Sequence, residues 1–164
     1  MTPAPLRLAD RMTDIRPFHV MELLRRAREL EAMGRDIIHM EIGEPDFPSP
    51  PPVVDAATRF LARGDVHYTP ALGIAPLREA IARFYQDRFG ANVAPERIVV
   101  TPGASGALML ALAATTNPGD TWLLPDPTYP SNRHLVRAFE GVARAVPVNA
   151  DSAYQPTVAA VEAA

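Results

Sequence analysis

Ile98-Val99-Val100-Thr101-Pro102-Gly103-Ala104-Ser105-Gly106-Ala107-Leu108 is the stretch on which the fold turns. Four β-branched residues in a row end at a proline, two glycines bracket a serine, and a small-residue apolar run follows to Thr116. β-Branched side chains pack well on a pleated surface, whereas Ala- and Leu-rich runs favour helix. The segment therefore predicts a buried strand over Arg97–Thr101, a tight turn over 102–106 and a helix over Ala107–Thr116. Downstream the rhythm repeats. Asn117-Pro118-Gly119-Asp120 is a turn, Thr121–Leu124 a strand, Pro125–Pro130 a loop and Ser131–Glu140 a helix; Gly141 breaks it, and Val142–Val148 is another strand. Strands alternating with helices point to an α/β domain with a parallel sheet.

Upstream of this region the pattern is mostly helical. Val20, Leu23, Leu24, Ala27, Leu30 and Met33 recur at helical spacing, and Gly34 stops them. Ile37–Ile42 reads as a short strand. Three prolines between Gly43 and Pro50 bar a helix there. Pro51 or Pro52 can open a helix that runs to Arg63 and ends at Gly64. A loop over Asp65–Gly73 precedes an amphipathic helix with Leu77, Ala80, Ile81, Phe84 and Tyr85 inward and Gly90 as its stop. Residues 1–16 read as a flexible arm, residues 17–94 as a first structural part and residues 95–164 as a second, the boundary falling near 92–96. The final pattern, Pro156 to Ala164, stops inside a helical repeat, and this predicts a chain truncated relative to a longer design.

Composition narrows the chemistry. The chain has 164 residues, 48% hydrophobic and 21% charged, which allows a sizeable core and argues against wholesale disorder. A net charge of -3 gives no electrostatic case for nucleic acid or an anionic membrane. With no cysteine there is no disulfide, thiolate metal site or thiol nucleophile. His19, His39, His67 and His134 lie without metal-ligand spacing, so no metal site is expected. No run approaches a membrane span and no secretory apolar segment is present, so a soluble cytoplasmic protein is expected. All 16 basic residues are arginine. A mechanism that needs a lysine amine cannot run on this chain alone.

Three loops could carry chemistry. At Gly103-Ala104-Ser105-Gly106, backbone N–H groups at a helix start and the Ser105 hydroxyl suit an anion such as a phosphate. The same residues also read as a plain strand-to-helix turn with Ser105 as N-cap. Asp126-Pro127-Thr128-Tyr129-Pro130 follows a strand's carboxyl end, where α/β sheets bind ligands, and Tyr129 could stack on a planar ring or simply plug a turn. Gly43-Glu44-Pro45-Asp46-Phe47 is a Gly-first loop whose bare N–H could meet a carboxylate; it also reads as a proline-defined turn.

Taken in order, these loops resemble the N-terminal half of the class I/II aminotransferases, the fold-type I enzymes that use pyridoxal phosphate. The matching pieces are Ile42-Gly43-Glu44-Pro45-Asp46-Phe47, Tyr68-Thr69-Pro70-Ala71-Leu72-Gly73 leading into Leu77–Ile81, Ile98–Leu108, Asn117–Asp120 and Pro125–Pro130. The resemblance covers roughly residues 12–164. It implies an incomplete fold-type I α/β fold, with part of the small domain followed by the first strands and helices of the large one. It also implies site roles. Ala104 and Ser105 would hold the pyridoxal 5'-phosphate phosphate, Tyr129 would stack on the pyridine ring, and Gly43 would offer its N–H to the substrate α-carboxylate. Tyr68 would reach the phosphate of a neighbouring subunit in a homodimer, and the arm before Pro17 would pack on that partner. The substrates would be an amino acid and a 2-oxo acid.

The family's Schiff-base lysine has no counterpart here, so the chain alone is expected to be inactive. It would then be a non-catalytic remnant or half of a split enzyme. The sheet would also be interrupted and its edges unpaired, predicting marginal stability or aggregation. A competing reading is a serine hydrolase. Gly103-Ala104-Ser105-Gly106-Ala107 nearly spells a nucleophile elbow, and Asp126 and His134 follow in the right order.

Overall fold

The computed structural model describes residues 6–64 and 66–164. Residues 1–5 of the expected arm and Asp65 of the expected 65–73 loop lie outside the described residues. The element order is α1 (His19–Ala32), α2 (Pro51–Ala62), α3 (Ala75–Phe89), α4 (Gly103–Thr115), β1 (Thr121–Asp126), α5 (Ser131–Ala138), β2 (Val142–Pro147) and α6 (Val158–Glu162). Short 3-10 turns lie at Asp10–Thr13, Pro95–Arg97 and Ala150–Ser152. The chain forms two compact units, one from residues 1–42 with 107–164 and the other from residues 43–106.

The first unit holds the sheet. β1 and β2 pair in parallel, from Thr121 opposite Val142 to Asp126 opposite Pro147. Parallel neighbours need a crossover, and α5 supplies it. Among the described residues the buried hydrophobic side chains are Leu112, Val136, Val146 and Val148. They come from α4, α5, β2 and the residue after β2, so the core lies where helices meet this two-stranded sheet. The Trp122 indole N–H donates to Thr116 Oγ1 at 3.0 Å and ties β1 to the end of α4. α1 carries its charge on the surface, where Arg25 pairs with Glu22 at 3.3 Å and with Glu29, and Arg26 pairs with Glu29 at 3.2 Å. Such helical pairs each add only a few tenths of a kcal/mol, about 0.3–0.5.

Residues 10–14, expected within a flexible arm, are tied to their own chain. The Arg11 guanidinium pairs with Glu140 at 3.1 Å, and Arg137 Nε donates to Asp14 Oδ2 at 2.7 Å. The two pairs have opposite polarity and both grip the C-terminal end of α5.

In the second unit α2 opens on Pro51 and Pro52, and α3 carries Pro76 in its first turn, where a missing N–H costs nothing. Arg78 Nη1 donates to the Pro95 carbonyl at 3.3 Å, and Val100 N donates to the Leu72 carbonyl at 3.0 Å.

Two expected strands are not formed. Arg97 closes a 3-10 turn, and residues 98–101 run outside any sheet, with Val99 about half exposed. Residues 37–42 are likewise unpaired, and Ile38 and Met40 are largely exposed. A strand exists only when a neighbour completes its backbone ladder, and among the described residues only β1 and β2 have one. The face of α3 expected inward is also open, since Leu77, Phe84 and Tyr85 are exposed and Ile81 is half-buried. The apolar periodicity of that helix is real, but the described residues of its own unit leave most of that face uncovered. β1 runs two residues past its expected end, to Asp126, and α5 ends two residues early, at Ala138.

The surface records the same imbalance: among the described residues of the 43–106 unit, Phe47, Leu61, Tyr68 and Phe89 are exposed.

Candidate functional site

Ala104 and Ser105 occupy the first turn of α4. Thr101, Pro102 and Gly103 bring the chain from extended backbone into the helix. Gly103 has φ +75°, a left-handed conformation that a side chain would strain. Its N–H donates to the Thr101 carbonyl at 2.8 Å, while the Thr101 hydroxyl donates to the Gly103 carbonyl at 2.9 Å. Gly106 allows Pro102 to lie on the helix, because a Cβ there would meet Pro102 Cδ at 3.1 Å and Cγ at 3.2 Å. The result is an exposed N-terminus on a 13-residue helix. The first-turn N–H groups of Ala104 and Ser105 have no intrahelical acceptor, and the helix dipole adds positive potential. The donor set fits a phosphate: two backbone amides and a hydroxyl, with no carboxylate bonded to them among the described residues.

Gly43 lies in an exposed loop, with no atom within 4 Å of where a Cβ would stand. Tyr68 is fully exposed on the loop leading to α3. Gly43, Tyr68, Ala104 and Ser105 all belong to the unit of residues 43–106, and Tyr129 belongs to the other. Tyr129 follows β1 in the turn that opens α5, and its carbonyl accepts from Asn132 N at 3.2 Å. Its ring is more than half exposed and rests against Phe18, with centroids 5.8 Å apart and planes tilted by 55°. Phe18 escaped the sequence reading. No motif marks it, and only the packing of the chain before α1 reveals the contact.

The hydrolase geometry is not assembled. The Asp126 carboxylate has Arg133 as its partner at 3.8 Å, and no hydrogen bond joins it to His134.

A second cluster also went unread. His39 Nδ1 lies 2.6 Å from Glu41 Oε1, and His39 Nε2 lies 2.8 Å from Glu31 Oε1. A carboxylate at each ring nitrogen demands a proton on both. The Glu41 hydrogen bond, then that of Glu31, holds the imidazole above its ordinary value, and the His39 hydrogen bond holds the Glu41 carboxyl below its own. The two carboxylates sit at opposite ring nitrogens, and no metal-binding group of His, Asp and Glu occurs among the described residues.

Residues 35–164 match the family model described as aminotransferase class I and II. The chain belongs to this family. The class I and II relatives include aspartate aminotransferase from Thermotoga maritima, 38% identical over 155 residues, covering 94% of this chain and 41% of the relative. They also include (5-formylfuran-3-yl)methyl phosphate transaminase from Methanocaldococcus jannaschii, 40% identical over 130 residues, covering 79% and 35%. Among solved structures, aspartate aminotransferase from Thermus thermophilus with maleate superposes with a TM-score of 0.90 at 33% identity, covering 98% of this chain and 42% of that one. The mixed α/β structure is thus that of the fold-type I aminotransferases over about two fifths of their length.

No helix among the described residues is long and apolar enough to cross a membrane.

Proposed function

We propose that this chain contributes the phosphate-binding and ring-stacking portion of a pyridoxal phosphate-dependent aminotransferase that moves an amino group between an amino acid and a 2-oxo acid. The observation that carries the reading is the open N-terminus of α4 with Ala104 and Ser105 in its first turn. There two amides and a hydroxyl hold the cofactor phosphate. Tyr129 offers its exposed ring to the flat pyridine, and the unhindered Gly43 N–H meets the substrate α-carboxylate. Tyr68 reaches toward a neighbouring subunit's phosphate in a cytoplasmic homodimer. Residues 17–94 belong to the small domain and residues 95–164 open the cofactor domain. When bound, pyridoxal phosphate supplies an electron sink for negative charge at the substrate Cα. The residues of this chain bind and orient; none is a lysine, so none can carry the family's proton transfer at Cα.

That lysine-free composition favours a chain inactive alone, either non-catalytic or completed by a second polypeptide. The test is pyridoxal phosphate binding by the full chain and by Ser105→Ala. A hydrogen bond to a charged phosphate is worth about 1.5–3 kcal/mol, so the variant should bind about 10- to 150-fold more weakly. Equal affinity in the two proteins would remove Ser105 from the site.

A further inference from the structure

We propose that Phe18 is a positioning residue for Tyr129, held in place by a strap formed by residues 11–18 of the same chain. The inference rests on the stacking role proposed above for Tyr129 and adds the element that orients its ring.

The strap is anchored at one end by Arg11 on Glu140 and Asp14 on Arg137, at 3.1 and 2.7 Å. At the other end the Phe18 ring meets Tyr129 at 5.8 Å and 55°. α5 lies between these anchors, with Arg137 in its last turn and Tyr129 just before its first. From Tyr129 to Arg137 the chain advances by about 12 Å at helical rise. From Asp14 to Phe18 a fully extended chain reaches only about 13–14 Å. The strap therefore runs antiparallel to α5 with little slack. Pro17 stiffens it by locking its own φ and by keeping Arg16 out of the helical region. Phe18 is the residue preceding α1, with extended backbone at φ -74° and ψ 102°. It is half-buried while Tyr129 is exposed, so the phenylalanine is the fixed member of the pair and the tyrosine the presented one. Two ion pairs of opposite polarity also set direction, because a strap docked in reverse would place like charges together. An exposed tyrosine on a turn would otherwise sample several rotamers. A tilted aromatic neighbour restricts its plane, as a ring that must stack on a flat ligand requires.

The test labels the full chain with 3-fluorotyrosine and assigns the Tyr129 fluorine signal with Tyr129→Phe. Trp122 emission monitors the fold in every variant. In the unmodified chain the Tyr129 signal should be displaced from that of free fluorotyrosine. Phe18→Ala should move it toward the free position, and Phe18→Tyr should restore it. Asp14→Asn, at an exposed position paired with Arg137, serves as the milder variant and should move the signal in the same direction. Pyridoxal phosphate affinity should fall about 2- to 10-fold in Phe18→Ala, while affinity for inorganic phosphate, which reads the α4 turn alone, stays unchanged. A Tyr129 signal at the free position in the unmodified chain, or one that ignores both Phe18→Ala and Asp14→Asn, overturns the strap. A signal that responds as described in a chain with no affinity for pyridoxal phosphate supports the strap and counts against the proposed function.

Discussion

Gly141→Ala adds a single methyl at a closely packed point of the core. Gly141 is buried between α5 and β2, with backbone outside the left-handed region, so conformation alone does not forbid alanine. Space does. The new Cβ would stand 2.9 Å from Val136 Cγ1, 3.1 Å from Thr116 Cγ2 and 3.2 Å from the Val136 carbonyl oxygen. None of the three can yield cheaply. Val136 is 2% exposed and stiff at χ1. Thr116 cannot turn without losing the 3.0 Å bond from Trp122. The Val136 carbonyl already accepts from Gly141 N at 3.0 Å. Overpacking of this kind costs about 1–3 kcal/mol. The gain from a less flexible unfolded chain returns about 0.4–1 kcal/mol. The net loss is about 1–2 kcal/mol, which at a urea slope of about 2 kcal/mol/M lowers the midpoint by about 0.5–1 M. Trp122, the one tryptophan, reports on this corner of the core, so urea unfolding followed by its emission is the assay. Gly43→Ala, with nothing within 4 Å, is the control and should leave the midpoint unchanged or slightly raised. A Gly141→Ala midpoint at or above that of the unmodified chain would refute the packing argument.

Other outcomes follow from the same structure. Gly73→Ala should destabilise the 43–106 unit, because φ is +96° and the new Cβ would lie 2.6 Å from Val100 Cγ2; unchanged amide protection of Val100, which donates to Leu72, would contradict this. The isolated chain should self-associate at micromolar concentration through its excess apolar surface, and sedimentation as a stable monomer would argue otherwise. His39 should titrate above 6.5 by NMR. Because its folded value is raised, its contribution is complete below 6.5 and fades as pH rises through the folded value. Glu41 has the opposite sign, contributing above 4.5 and losing its effect as pH falls through its lowered value. The contacts joining α1 to residues 37–42 should therefore be tightest between those two limits, and Glu41→Gln should bring the His39 titration down; an unmoved titration would show that the hydrogen bond is not made in solution.

Local signals in the sequence determined the helices and the paired strands β1 and β2. Apolar spacing placed α1 and α3, prolines placed the start of α2, and Gly141 placed the break before β2. Each signal acts within a few residues, through backbone sterics or the helical repeat. The glycine that starts α4 was equally legible, because the left-handed backbone at Gly103 favours glycine, but the turn expected over 102–106 is largely the first turn of α4 itself, which begins four residues before its expected start. Tertiary structure alone decided what has a partner. Ile98–Thr101 has every strand-forming side chain and forms no strand, since its ladder needs a neighbour that residues 98–101 do not encode. Leu77, Phe84 and Tyr85 repeat like a core face and remain exposed, because periodicity says which side is apolar and not what covers it. The Phe18–Tyr129 contact and the two ion pairs of the strap join residues up to 129 positions apart. Such long-range pairs depend on where whole elements dock, and no window of sequence contains both partners.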